Sequence, residues 1–334
     1  VITSILATGQ PPRLYSIPTP HSPRPHLETA HPHVAPASNT PSPTATQTPT
    51  SSSPSSTIQY TKVATWNIDR QASYDGPIKA CVHGDLDLLH CTEPAEHMTP
   101  GTRATSTLIN TADKAGYVLY VTKHCHTYIR QATLHTRLLS QRSSYNGRLH
   151  TFVFQGSTMH HTAILCLYAF QRGHRDHSIA TNGMESDTAN SPTLFKQSII
   201  TLTATLKKLY TNLTLIIMGD FQHTVSDTTL HRMGQRQPPP PANVLTQCLK
   251  HPLNLVSVIP NQHPTLAYHT WHSKSGTGRA GIDHILASPE HIHPNSPCGI
   301  DHEITTTLFK SDHYLLYASF DLQCPNTAPP PPTT

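Results

Sequence analysis

Long apolar runs are missing from this sequence. No uninterrupted stretch approaches the ~20 apolar residues that carry a helix across a bilayer core. Charge is scarce too: Asp, Glu, Lys and Arg make up 13% of 334 residues, beside 36% hydrophobic residues. Both values are low for a packed enzyme, so part of the chain must lie outside any core. The net charge of +4 comes from scattered Lys and Arg. It permits a polyanionic partner without the clustered footprint that would demand one. No C-x-x-C pair occurs among the seven cysteines, Cys81, Cys91, Cys125, Cys166, Cys248, Cys298 and Cys324. An odd number without such a pair argues against a disulfide framework or a zinc knuckle, and for a reducing compartment. The apolar start, Val1 to Ala7, lacks a basic segment and an initiating Met, so it reads as part of a longer protein and not as a signal peptide. No internal repeat period is visible.

Abundance lies elsewhere, in 26 His, 31 Pro and many Thr. The codons of His, Thr, Pro, Gln and Asn are all rich in C and A, so one nucleotide bias accounts for the excess. Most of the histidines are therefore not expected to be ligands. Residues 11 to 57 are mainly Pro, Ser, Thr and His. Such a segment cannot bury enough surface to offset the ~1–2 kcal/mol per residue that backbone ordering costs. Three parts follow: a disordered linker over 1–57, a folded domain over 58–323, and a proline-rich tail over 324–334. A folded piece between proline-rich linkers is what one domain of a polyprotein looks like. The Ser/Thr/Pro run taken alone would also fit a mucin-like extracellular protein.

Inside the folded part, apolar alternation predicts strands at Tyr60 to Ile68, Leu86 to Cys91, Tyr117 to Thr122, Leu149 to Gln155, Thr162 to Ala169 and Leu213 to Met218. Val256 to Ile259, Leu266 to Trp271, Ile282 to Ala287, Ile304 to Leu308 and Tyr314 to Phe320 are further strand candidates. Helical spacing predicts helices over Thr102 to Ala115, Pro192 to Tyr210 and Ala242 to Leu249. Gln171 to Ser191 and Arg232 to Pro241 read as surface loops. Many strands with few helices between them imply an α/β fold, two packed sheets with helices outside.

Several short segments place a carboxylate, amide or phenol where an apolar strand gives way to a loop. They are Trp66-Asn67-Ile68-Asp69, Thr92-Glu93, Leu167-Tyr168-Ala169, Gly219-Asp220-Phe221-Gln222, Gly281-Ile282-Asp283-His284 and Ser311-Asp312-His313. Polar groups at strand ends converge on one rim of a sheet. Hydrolysis of a phosphodiester needs such an inventory: carboxylates for a hard divalent cation, a base for water, and donors for charge at phosphorus.

Taken in order, these segments resemble the strand-end motifs W-N, Q-E, G-D-F-N, R-I-D and S-D-H of the endonuclease/exonuclease/phosphatase superfamily, over residues 58 to 323. The resemblance implies a four-layer α/β sandwich of two mixed sheets flanked by helices. Leu167-Tyr168-Ala169 and Trp66-Asn67-Ile68-Asp69 narrow it to the apurinic-site endonuclease and retrotransposon branch. With the proline-rich flanks, this looks most like the DNA-nicking endonuclease domain of a non-LTR retrotransposon polyprotein. That likeness implies a monomer acting on DNA inside the nucleus, away from membranes and linked to a reverse transcriptase. By the same resemblance, Glu93 binds Mg²⁺ (or Mn²⁺), with Asp69, Asp312 and Asn67 nearby. Asp220 orients or deprotonates water. Tyr168 donates to the phosphate, and His313 contacts it with Asp283 fixing its tautomer. Three departures stand out. Gln222 replaces Asn, Phe170 replaces Pro, and Gly281 replaces Arg. They leave room for a weakened enzyme, a decayed binding remnant, or a same-fold phosphatase acting on a lipid or nucleotide.

Overall fold

The computed structural model describes residues 60–70, 75–156, 160–170, 192–222, 253–275, 278–308 and 311–322. In chain order its strands are β1 (Thr61–Asn67), β2 (Leu88–Thr92), β3 (Tyr117–Val121), β4 (Cys125–Arg130), β5 (Leu138–Ser144), β6 (Leu149–Gln155) and β7 (His161–Tyr168). They continue with β8 (Leu213–Asp220), β9 (Val256–Ser257), β10 (Trp271–His272), β11 (Arg279–Ala280), β12 (Asp283–Ala287), β13 (Cys298–Asp301) and β14 (Leu315–Phe320). The helices are α1 (Gly76–His83), α2 (Arg103–Lys114), α3 (Pro192–Leu209), α4 (Val258–Gln262) and α5 (His302–Leu308). The expected linker and tail, the loops after residues 170 and 231, and the helix over Ala242 to Leu249 fall outside the described residues.

Two six-stranded sheets form the centre, one in the order β13-β14-β1-β2-β4-β3 and the other β5-β6-β7-β8-β12-β9. Each mixes parallel and antiparallel pairs: β1 runs parallel to β2, and β7 to β8, while β14 and β12 run against them. Strand side chains alternate faces. One set of apolar residues therefore fills the space between the sheets: Val63, Leu88, Ile129, Phe152, Ile164, Ile216, Met218, Ile285 and Leu316. The opposite set packs outward under helices. Ala64, Trp66, Leu89 and Cys91 meet Ile78 of α1, Leu108 of α2 and Ile304 of α5. Leu165, Leu167, Leu215 and Ile217 meet Phe195, Ile199 and Leu206 of α3. The layers are helix, sheet, sheet, helix, as expected. Each fully buried Leu, Ile or Phe contributes roughly 1.5–3 kcal/mol. No described helix is long and apolar enough to cross a membrane.

One glycine fixes how closely two strands approach. Gly219 in β8 has φ +143°, and a Cβ there would lie 1.8 Å from the Leu167 carbonyl oxygen. Only a residue without a side chain lets β8 pass β7 at this point.

Three strand expectations need correction. Ile304 to Leu308 is helical, within α5. Its β-branched run favours a strand, but the Asp301 carboxylate accepts the Ile304 N–H at 2.7 Å and Ile304 packs into the outer core. A cap and a burial site outweigh propensity here. Val256 to Ile259 is a strand only through Ser257, because helix α4 begins at Val258. Leu266 to Trp271 is not laddered before Trp271. Leu266 is exposed, and Tyr268 uses its hydroxyl to donate to the Asp283 carbonyl instead.

Candidate active site

Period-two alternation delivers the site. On β8, Ile216 and Met218 face the inner core, so Asp220, two residues on, faces it too. The same step leads from Ile164 and Cys166 to Tyr168 on β7, and from Ala287 and Ile285 back to Asp283 on β12. On β1 it leads from Val63 to Asn67. Register then aligns them: Asp220 pairs with both Tyr168 and Asp283, and Asn67 with Thr92, the neighbour of Glu93. One end of the inter-sheet layer thus turns from apolar to polar. Four non-glycine residues in the loops there, Asp69, Arg70, Glu93 and Gln222, have φ between +43° and +56°. Such conformations cost about 1–3 kcal/mol and concentrate at functional sites.

Asp220 is completely buried and receives three hydrogen bonds: Asn67 Nδ2 to Oδ2 at 2.9 Å, Gln222 Nε2 to Oδ2 at 2.6 Å, and Gln222 N to Oδ1 at 2.8 Å. The Asn67 bond joins the two sheets. Burial, and then the charge of Asp283, push the Asp220 carboxyl up to about 7. Asp283 holds His313 through Oδ2···Nδ1 at 2.8 Å, and both are buried. Burial opposes a charge on His313, but the carboxylates around it, led by Asp283, outweigh that and raise it to about 9. An imidazolium and a hesitant carboxylate sit side by side, the pairing that acid–base chemistry uses. Tyr168 donates to Glu93 Oε1 at 2.6 Å. Burial, and then Glu93, raise the phenol well above its usual range, so it stays a donor.

The Ser311-Asp312-His313 segment is anchored to β1. Ser311 Oγ donates to the Asn67 carbonyl at 2.6 Å, and Trp66 Nε1 donates to the His313 carbonyl at 3.1 Å. Asp312 Oδ2 accepts from Trp271 Nε1 at 3.1 Å, and Asp312 Oδ1 lies 3.8 Å from His313 Nε2. Asp69 donates its N–H to Asn67 Oδ1 at 2.9 Å, and its carboxylate takes Lys274 Nζ at 2.9 Å. All nine expected residues therefore lie on one connected rim: Asn67, Asp69, Glu93, Tyr168, Asp220, Gln222, Asp283, Asp312 and His313.

Sequence reasoning missed Thr270. Its hydroxyl donates to Asp283 Oδ2 at 2.7 Å and accepts the N–H groups of Ile282 and Asp283, each at 3.0 Å. Nothing local marks it, because its partners lie 12 and 13 residues on. Lys274 was missed for the same reason. The departures also gain reasons. Gly281 is required by Tyr268, since a Cβ would stand 2.5 Å from the ring. Phe170 and Tyr168 both pack on the Arg148 guanidinium, at 4.5 and 4.7 Å.

By donor type, Glu93, Asp69 and Asp312 offer carboxylate oxygens and Asn67 an amide oxygen, ligands that suit a hard divalent cation. Lys274 stands beside Asp69 as a positive counter-ion. Among the described residues, the group of three carboxylate and imidazole atoms that all lie within 4.8 Å of one another is that of Asp220, Asp283 and His313. Most of its atoms are committed to hydrogen bonds, one of them between Asp283 and His313, while Asp283 Oδ1 is buried without a partner.

By sequence, no family model and no curated protein matches the chain. By structure, solved relatives do. An AP endonuclease from Leishmania major superposes with TM-score 0.57 at 15% identity, over 78% of this chain and 87% of that one. A 3′-5′ exonuclease from Neisseria meningitidis gives 0.56 at 16%, over 78% and 99%. An AP endonuclease from Archaeoglobus fulgidus gives 0.52 at 17%, over 78% and 99%. These likenesses show a shared fold, the four-layer sandwich. The polar rim lies at the mouth of that sandwich.

Proposed function

We propose that this chain is a divalent-metal-dependent phosphodiester hydrolase that nicks DNA. The observation that carries the reading is Asp220, bonded to Asn67 across the sheets beside the Asp283–His313 pair. In this reading Asp220 receives the proton of the attacking water. Asn67 and Gln222 hold its oxygens toward one face. His313, charged and fixed at Nδ1 by Asp283, keeps Nε2 for a phosphate oxygen. Tyr168 supplies a second donor, a neutral one. Glu93, Asp69, Asp312 and Asn67 would hold Mg²⁺ or Mn²⁺, which supplies charge neutralisation at the phosphate.

A finer assignment rests on sequence. The Trp66-Asn67-Ile68-Asp69 and Leu167-Tyr168-Ala169 segments, with proline-rich stretches on both sides, favour the endonuclease domain of a retrotransposon polyprotein, acting in the nucleus and joined to a reverse transcriptase. Sequencing the flanking gene tests that arm.

The activity test is relaxation of supercoiled plasmid in millimolar Mg²⁺. Asp220→Asn and His313→Ala should each lower the nicking rate by roughly 10²–10⁴-fold, the range of positioned acid–base groups. Asn at 220 turns one acceptor into a donor facing two donors, Asn67 Nδ2 and Gln222 Nε2. A variant that cuts as fast as wild type removes the assignment.

A further inference from the structure

Lys274 brings a positive charge of the chain's own to the Asp69 side of the site. It sits on the turn of the β10–β11 hairpin, whose base is closed by Ser273 N–H to the Gly278 carbonyl at 2.8 Å. The hairpin is pinned to Asp312 twice, by Trp271 Nε1 to Oδ2 at 3.1 Å and by His272 N–H to the carbonyl at 2.9 Å. An exposed lysine normally gains little from one ion pair, because the long side chain must be immobilised. Here the backbone delivers the ammonium to Asp69 Oδ2 at 2.9 Å. Asp69 is one of the carboxylates that would hold the metal.

We propose that Lys274 is a tethered competitor of the divalent cation: it neutralises Asp69 when no metal is bound and is displaced when metal enters. This rests on the proposed function. The two charges cannot share Asp69 closely, because like charges a few ångströms apart repel even in water. Once displaced, the ammonium remains on a hairpin at the mouth of the site, free to meet a phosphodiester.

The experiment is calorimetric titration of Mn²⁺ and Mg²⁺ into the full chain, without substrate, near neutral pH and at low ionic strength. Lys274→Ala should bind either ion about three- to tenfold tighter than wild type, and added salt should narrow the gap. Lys274→Arg keeps the charge and should bind like wild type. If Lys274→Ala binds equally well or more weakly, the inference falls and the proposed function stands. If neither wild type nor variant takes up metal, both fall.

Discussion

At the scale of single residues, Gln222 decides how well the proposed hydrolysis could run. Its longer side chain does not reach outward. The amide folds back onto Asp220 Oδ2 at 2.6 Å, and the backbone sits at φ +56°. Asn tolerates that region better than Gln does, and its shorter amide would leave the Asp220 oxygen free for water. Gln222→Asn should therefore raise the nicking rate, by up to ~10²-fold if placement of the water is what limits it. Single-turnover kinetics on a nicked-plasmid assay would show it. An unchanged rate would mean that Gln222 already does the work of the expected Asn.

At the scale of elements, the segment between α4 and β12 matters most. Thr270 stands just before β10, outside any strand or helix, yet one hydroxyl serves three partners that set the position of Asp283. Thr270→Val keeps the shape and removes the hydroxyl. Two backbone N–H groups then lose their acceptor, at a cost of about 1–3 kcal/mol. The expected result is a lower urea midpoint together with slower nicking, while Thr270→Ser retains both. Equal midpoints for Val and wild type would refute the role. Three elements that sequence patterns missed each carry a weak local signal. Strand β5, Leu138–Ser144, is an exposed edge with almost no apolar side chains, so it carries no alternation to read. Strand β4 places His126 and Thr127 in buried positions, which hides its pattern as well. Helix α1 starts on a Pro-containing turn without a side-chain cap.

At the scale of the whole molecule, the layer beneath the site holds an unusual interior. His90 Nδ1 and His150 Nδ1 each lie 3.0 Å from the Thr127 hydroxyl, and both rings are fully buried. Burial, then neighbouring histidines, lower His150 to about 4 and His90 well below its ordinary value. Burial also lowers His126 to about 4. A group with a depressed native value stabilises the fold above its unfolded value and loses that as pH falls. His126 and His150 should each withdraw roughly 3 kcal/mol as pH drops from about 6.5 to about 4, and His90 acts in the same direction. Asp220 works in the opposite direction, but it is one group against three. His313, raised to about 9, stabilises fully below about 6.5 and less as pH climbs through 9. Denaturation at stepped pH should place maximal stability near 6.5–7, with a steep acid limb. A flat profile down to pH 4 would show that these rings are hydrated.

The sequence alone determined which residues end strands, which face of each strand they share, and hence the sandwich and nearly all of its polar rim. Alternation with period two is a local property, so it survives without coordinates. Only the tertiary structure decided the partners. It turned Ile304 to Leu308 into a helix, because a cap and a hydrophobic seat lay waiting. It brought Thr270 under Asp283, closed the space above Gly281 with Tyr268, and laid Lys274 on Asp69. Those are contacts between elements, and a spacing rule along one chain says which way a side chain points without saying what it meets.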